Sequence, residues 1–588
     1  VNKIKKILSI IDEQIIFWLA GFLIVFIPLY PKIPLFSPIE QYIVRVRWED
    51  IAILFTVIVW VIWWLRKKVT INIQFAKLIG LYLLFSFLSV VSGIFLTKTI
   101  PLEAIHIGKS LLHFFRYLEY FTLFFILYSA IKTKKDVIKV LIVLAITLFG
   151  VTIYGLGQRY LYWPVYSTMN REFSKGVRLY LTEHARVQST FAGHYDLGAW
   201  LVIVLPLILA LAFTAKNKFI KLGLHLLHLG GLWLLVESAA RSSFAGYIIA
   251  VEIVVVLFAM QRKKWLTKFW YFLSRSIFLG LSVLLTMIYF GDSMIERLVQ
   301  TIEPIPVLAQ SYKAFDQTRI ALVDQTFGRL PTLFPQANKP SNGISTDEAV
   351  QIIVSSDERP TTENPKDKPS DVYVNVPDYV QVATISATGK TEYITVAQER
   401  TYSANALKYG LSFAIRLDTL WPQAIKGFTT NPLLGTGYAT LNKNVVYLFT
   451  EADGTDNNFL RTLGETGGLG FITFYGLIVL AIIQAAKVVK KNQDQLLTIM
   501  AIGYIGGSIG LLINATYIDV YASSKVAYTF WALTGLLISY AVIVEKKNNL
   551  SEDFLKAKSR KGTAFKKAPK NTTFKNAVTP KRRKRKNV

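Results

Sequence analysis

Twelve stretches of this sequence are long and apolar enough to cross a lipid bilayer, and they restrict the chain to one class of fold. A bilayer core of roughly 30 Å takes about 20 apolar residues in a helix, and inside it only helices or closed barrels satisfy every backbone polar group. The stretches lie near 14–30, 49–65, 75–95, 110–131, 137–157, 196–214, 219–236, 243–261, 269–290, 466–486, 496–515 and 526–544. The composition agrees: 52% of residues are hydrophobic, 18% are charged and the mean hydropathy is +0.39, more apolar than a soluble domain and far from the composition of a disordered chain. There is no cysteine, so disulfide frameworks, thiolate metal sites and cysteine nucleophiles are excluded. The first stretch follows Lys3, Lys5 and Lys6 without a small-residue cleavage site, and so reads as a signal anchor.

Charge placement orients these helices. Arg66-Lys67-Lys68, Lys132/Lys134/Lys135, Lys216/Lys218/Lys221, Arg262-Lys263-Lys264 and Lys487/Lys490/Lys491 fall on alternate loops, which the positive-inside rule puts in the cytoplasm with both termini. The expected fold is an all-α polytopic membrane protein with helices one to nine in 1–291. An extracytoplasmic insertion, 292–410, follows, then an extracytoplasmic loop, 411–464, helices ten to twelve in 465–545, and a basic tail, 546–588. The insertion holds fifteen acids against eleven bases and nine prolines. Within it, Tyr373–Val396 alternates apolar and polar residues around Gly389-Lys390, the pattern of a small strand pair. The insertion is either a modest extracytoplasmic subdomain or a partly disordered flap. The tail has sixteen Lys/Arg against two acids, half of the chain's net charge of +28. It is expected to be disordered and to lie against anionic membrane lipid, not nucleic acid.

The chemistry-bearing residues gather on the other side. Arg186 precedes helix six, Arg241 sits in the turn between helices seven and eight, and Arg416 opens an amphipathic stretch that includes Trp421. Interfacial arginines often snorkel to anchor helix ends. Three on the face that the positive-inside bias disfavours suit instead a phosphate or pyrophosphate, gripped by bidentate charge-assisted hydrogen bonds. Gly427-Phe-Thr-Thr-Asn-Pro-Leu-Leu-Gly435-Thr-Gly437 marks a fixed turn. In 456–467, which runs into helix ten, Asp456, Asn457, Leu460, Leu463 and Thr466/Gly467 recur on one helical face. Asp456 is there either a helix cap or a catalytic carboxylate; Glu465 is either a surface carboxylate or a second candidate. Gly464–Gly470 is no nucleotide loop, because neither a strand nor a Lys-Ser/Thr accompanies it. His225 and His228 read as partners in interhelical hydrogen bonds, and His184 and His194 flank Arg186 where a sugar could be touched. Gly503, Gly506, Gly507 and Gly510 form two small-xxx-small pairs for packing.

These pieces together resemble the O-antigen ligase/polymerase superfamily of bacterial envelope membrane proteins. The matching segments are Arg-x-x-Ser-Thr-Phe at 186–191, Ser-x-x-Arg at 238–241, Arg-x-x-x-x-Trp at 416–421, Asn-Pro-Leu-Leu-Gly-x-Gly at 431–437 and Asp-Asn-x-x-Leu-x-x-Leu-x-Glu-x-Gly at 456–467. The resemblance covers roughly 15–290 and 411–545. It implies a GT-C-like, metal-independent glycosyltransferase without a cofactor, in a bacterial cytoplasmic membrane. The donor is an undecaprenyl-pyrophosphate-linked glycan and the acceptor a glycan, lipid or protein hydroxyl. Arg186, Arg241 and Arg416 would hold the pyrophosphate, Asp456 or Glu465 would take the acceptor proton, and His194, Asn457 and Trp421 would touch sugar. Ligases of the family usually begin the last motif with His-Asn or His-Ser; Asp456-Asn457 looks closer to polymerase-type members. The alternatives are a transporter or flippase of lipid-linked oligosaccharide and a catalytically inactive glycan-binding relative.

Overall fold

The computed structural model describes residues 2–38, 45–168, 171–181, 185–302, 316–321, 344–345, 378–385, 391–398, 402–441 and 454–564. Twelve helices among them are long and apolar enough to cross a membrane, making this a multi-pass membrane protein. They are α1 (Asn2–Leu29), α2 (Trp48–Leu65), α3 (Ile73–Phe95), α4 (Ala104–Ala130), α5 (Lys134–Tyr160), α6 (His194–Thr214), α7 (Lys218–Glu237), α8 (Arg241–Met260), α9 (Trp265–Phe290), α10 (Asn458–Lys491), α11 (Gln495–Asn514) and α12 (Ser524–Ala564). Each coincides with one of the apolar stretches. Polar caps start several of them: Asn72 accepts the Phe75 N–H, Thr133 and Asp136 form a capping box, and Asp494 accepts the Leu497 N–H, which satisfies amides the first helical turn cannot pair.

Cross-helix hydrogen bonds define two ends. At one, Asp12 pairs with Arg66 at 2.6 Å and with Lys68, Lys132 donates to the Glu13 carbonyl at 3.2 Å, and Lys134 meets Asp494 at 2.7 Å. This is the basic end. At the other, Lys525 donates to the carbonyls of Pro28, Tyr30 and Thr190 at 2.7–3.0 Å, and Lys32 pairs with Glu49 at 2.5 Å and donates to Ser524 at 2.7 Å. Both lysines are almost wholly buried. Burial pulls the Lys32 ammonium below its ordinary pKa, with Glu49 opposing that shift. The insertion leaves from this second end, which we call the insertion end.

The centre of the bundle is α6, α11 and α12. In α6, 89% of the span is buried, and in α11 and α12 78%, against 22% for α2 and 6% for α9. Glycines make the central contact possible. A Cβ on Gly507 would come 2.8 Å from the Ile203 carbonyl of α6, and one on Gly510 would come 2.6 Å from the Gly246 carbonyl of α8, so α11 approaches both neighbours at backbone distance. His228 meets the Tyr247 hydroxyl at 3.1 Å between α7 and α8, while His225 lies against Phe213 and Phe278.

One helix differs from the straight entry that the sequence suggests. α10 is bent at Gly467, whose φ is +65° and ψ −170°. The residues before the bend, 458–466, form a short arm, and the apolar stretch expected at 466–486 forms the long arm. Asp378–Ile385 and Thr391–Gln398 pair as antiparallel strands within the insertion. Considered by itself, the unit 542–588 is not wholly irregular, because helix α12 extends through Ala564. The run from 542 to 564 has five lysines, and lysine is a good helix former. Residues 565–588 and His184 lie outside the described residues.

Candidate functional site

The bend in α10 is held by backbone exchanged with the Asn-Pro-Leu-Leu-Gly-Thr-Gly segment. A left-handed residue inside a helix frees amides and carbonyls that need partners. Gly468 and Leu469 donate to the carbonyls of Pro432 and Leu433 at 2.8 and 3.2 Å; in return Thr436 and Gly437 donate to the carbonyls of Gly464 and Glu465 at 3.0 and 2.9 Å. Gly435 and Gly437 have φ of +68° and +93°, and a Cβ on Gly467 would overlap the Leu433 backbone at 2.4 Å. The two glycine-rich motifs thus form one clamp, and each motif's glycines are required by the other.

The clamp carries the 431–441 loop in among the helices. Tyr438 is 1% exposed, stacks on Tyr117 of α4 and shares hydrogen bonds with Tyr82 at 2.9 Å and Ser86 at 3.0 Å on α3. Tyr82 lies thirteen residues from the Phe95 end of α3, about 20 Å along the helix axis. The stretch expected as an outer loop is therefore partly re-entrant, which is tolerated where irregular backbone is buried in protein.

Arg416 lies in a single π-helical turn, Arg416–Leu420, between the short helices Leu411–Ile415 and Trp421–Thr430, a distortion common at functional sites. Its guanidinium meets Asp456 at 2.9 Å, with side-chain exposures of 6% and 41%. It also donates to Ser412 and lies 3.9 Å from the centre of the Tyr517 ring. Phe413 stacks on Tyr517 and meets the edge of Trp421. The Nε of Arg416 and the indole N–H of Trp421 are buried without a partner among the described residues. Nearby, Asp418 accepts hydrogen bonds from Ser403 and Asn405, which hold its carboxyl below the ordinary range.

Asp456 adopts φ +51° just ahead of Asn457, whose side chain caps α10 by accepting the Leu460 N–H at 3.0 Å. Glu465 sits elsewhere, on the short arm. It is 3% exposed, accepts the Ala439 N–H at 3.0 Å and pairs with Arg461 at 3.2 Å. The structure thus joins Arg416 to Asp456 directly, while among the described residues Glu465 is linked to that pair through Arg461 and Asp519, which are 3.1 Å apart.

The other two arginines occupy different helix starts at the same end. Arg186 meets His194, the first residue of α6, at 2.7 Å. Arg241, the first residue of α8, donates to the Arg297 carbonyl at 3.2 Å, in the helix Asp292–Ile302. Neither makes direct contact with Arg416 in the hydrogen-bond and ion-pair network described. A relay does connect the helix of Arg241 with the start of α10: Ser243 of α8 accepts from Asn514 at 2.9 Å, and the next carbonyl, Ala515, accepts from Asn458 at 2.8 Å.

That relay belongs to a connector the sequence reading passed over, the turn between α11 and α12. Tyr517 lies on Arg416, Asp519 accepts from Thr455, Asp456, Asn457 and Arg461, and Tyr521 donates its N–H to Asn458 at 2.9 Å. The available signal was an acid and two tyrosines within five residues, which hydropathy alone treats as an ordinary turn. A second cluster was also passed over: Arg116 of α4 pairs with Asp50 at 2.6 Å and Glu119 at 2.9 Å and donates to Tyr528 at 3.3 Å. No group of three or more His, Cys, Asp or Glu placed to hold a metal occurs among the described residues.

No protein-family model matches the sequence, and no curated protein matches it.

Proposed function

We propose that the chain is a membrane glycosyltransferase of the O-antigen ligase/polymerase type, acting on an undecaprenyl-pyrophosphate-linked glycan at the insertion end. In this reading that end faces outward from a bacterial cytoplasmic membrane and the basic end faces the cytoplasm. The observation that carries the reading is the Arg416–Asp456 pair: two motifs forty residues apart supply a buried cation and a half-exposed carboxylate 2.9 Å from each other.

The chemistry is a displacement at the anomeric carbon. The acceptor hydroxyl oxygen bonds to that carbon as the bond to the phosphate oxygen breaks. The pyrophosphate leaves with the electron pair, and the hydroxyl proton passes to a carboxylate. A pyrophosphate oxygen at Arg416 would compete with Asp456 for the guanidinium and free that carboxylate to take the proton, an effect worth about 10²–10⁴-fold. Arginine placed where charge gathers supplies electrostatic stabilisation. The Arg416 Nε, which has no partner among the described residues, offers that oxygen a further donor. Arg186 with His194, and Arg241, supply the remaining cationic contacts.

The test is incubation of purified protein with an undecaprenyl-pyrophosphate oligosaccharide. A ladder of longer lipid-linked glycans marks a polymerase, and transfer only to a different acceptor marks a ligase. Arg186→Ala, Arg241→Ala and Arg416→Ala should each abolish transfer while the protein still inserts; activity retained in all three sinks the pyrophosphate reading. A second reading, transport of the same lipid-linked oligosaccharide, is favoured by the broken helix at Gly467 and the re-entrant loop it clamps, features of transporter sites. Translocation of the lipid in proteoliposomes with no glycan transfer would select it.

A further inference from the structure

The α11–α12 connector contains an acid whose role the reading above leaves unused. Asp519 is largely enclosed, with 11% of its side chain exposed. Its Oδ2 accepts the N–H groups of Thr455 at 2.8 Å and Asp456 at 3.3 Å, and its Oδ1 accepts that of Asn457 at 3.1 Å. Three successive amides that converge on one anion around a left-handed residue form a backbone nest, a concavity suited to negative charge. The left-handed residue is Asp456 itself, at φ +51°. That conformation is uncommon for a residue with a side chain and persists where surrounding contacts enforce it.

We infer that Asp519 is a positioning residue: its carboxylate fills the nest of 455–457 and so fixes the backbone that aims Asp456 at Arg416. Two observations beyond the nest support this. Arg461 donates to Asp519 at 3.1 Å, so the enclosed carboxylate has a cationic partner, as a charge in such a place must. Tyr517, two residues before Asp519, lies on the Arg416 guanidinium. The same short turn therefore holds both partners of the pair, the carboxylate through its backbone and the guanidinium through a ring. An asparagine at 519 would bring an NH₂ group toward donors and accept through only one atom, so the nest would lose charge and at least one hydrogen bond.

This inference rests on the glycosyl-transfer reading only for its activity arm. The experiment compares full-length Asp519→Asn and Asp519→Glu with wild type and Asp456→Asn, by hydrogen exchange and by transfer from an undecaprenyl-pyrophosphate oligosaccharide. Asp519→Asn is expected to speed exchange of the 455–457 amides at least ~10-fold, given the strength of charge-assisted bonds. It should lower kcat by about 10- to 100-fold, leave the donor KM within about threefold and displace the acid limb of the pH–rate profile. Asp519→Glu, which keeps the charge, should recover most of the exchange protection and rate. Unchanged exchange at 455–457 in folded Asp519→Asn, or an unchanged kcat and pH profile, overturns the inference. Faster exchange alongside full transfer by Asp456→Asn supports the loop-holding role of Asp519 and rejects Asp456 as the base. If Asp519→Asn does not fold, Asp519→Glu decides alone: wild-type exchange and rate support positioning by charge, and loss of both overturns it.

Discussion

Asn458 and Tyr475 lie seventeen positions apart in one helical run, yet the Asn458 amide donates to the Tyr475 hydroxyl at 3.1 Å. In a straight helix they would be about 25 Å apart. Phe459 likewise stacks on Tyr475. The short arm of α10 therefore folds back on the long arm, and Gly467 is the hinge.

Gly467→Ala should accordingly be among the most damaging single changes in the chain. The added Cβ meets the Leu433 backbone at 2.4 Å and the residue has φ +65°; strain and overlap together cost about 3 kcal/mol. Thermal unfolding in detergent should show a markedly lower midpoint. Gly468→Ala is the control, because its Cβ would lie 3.3 Å from the Pro432 carbonyl, a contact relieved by a shift of a few tenths of an ångström, and its cost should stay under about 1 kcal/mol. Equal midpoints for the two variants would contradict the hinge.

The Arg416–Asp456 pair should show coupling in a double-mutant cycle. Asp456→Ala leaves a buried guanidinium without its carboxylate, whereas Arg416→Ala leaves a carboxylate that is already 41% exposed. The first should therefore cost more stability than a surface pair would, and the interaction energy should fall at about 1–3 kcal/mol. Additive effects on unfolding would remove the pair from the account.

At the centre of the bundle, Gly510→Val should push α11 off α8, because a Cβ would sit 2.6 Å from the Gly246 carbonyl. A loss of about 2–3 kcal/mol is expected. Gly476→Ala on α10 has nothing within 4 Å of its new Cβ and should raise stability by up to about 1 kcal/mol through helix propensity. Melting curves of the two proteins should move in opposite directions.

A pH-dependent contribution comes from Asp494 at the basic end. Burial acts to raise its pKa, but hydrogen bonds from Lys134, the Leu497 amide and Tyr540 hold it below the ordinary carboxylate value. A depressed carboxylate stabilises the fold fully above its unfolded pKa, about 3.9, and loses that contribution as the pH falls through the folded value. Asp494→Asn keeps a good helix cap but no charge. Its deficit relative to wild type should be full at pH 6 and shrink steadily below about pH 4. A deficit that is constant over this range would assign the effect to packing instead of charge.

The sequence by itself determined the twelve apolar helices and the grouping of basic loops, though not where each helix starts and stops, because bilayer-length apolar runs and loop charge are local properties of the chain. It also singled out Arg416, Asp456, Gly435, Gly437 and Gly467 as residues of interest, since arginines beside apolar runs and clustered glycines are visible without coordinates. Only the tertiary structure decided that helix ten turns back at Gly467 and that 431–441 enters the bundle. It also decided that Asp456, and not Glu465, faces Arg416, and that Tyr517 and Asp519 hold the pair. Those facts depend on contacts between segments 28 to 356 positions apart, whose energies come from complementary backbone groups and charges meeting in space. Hydropathy carries no record of such meetings: it reports which residues leave water, and not which of them face one another afterwards.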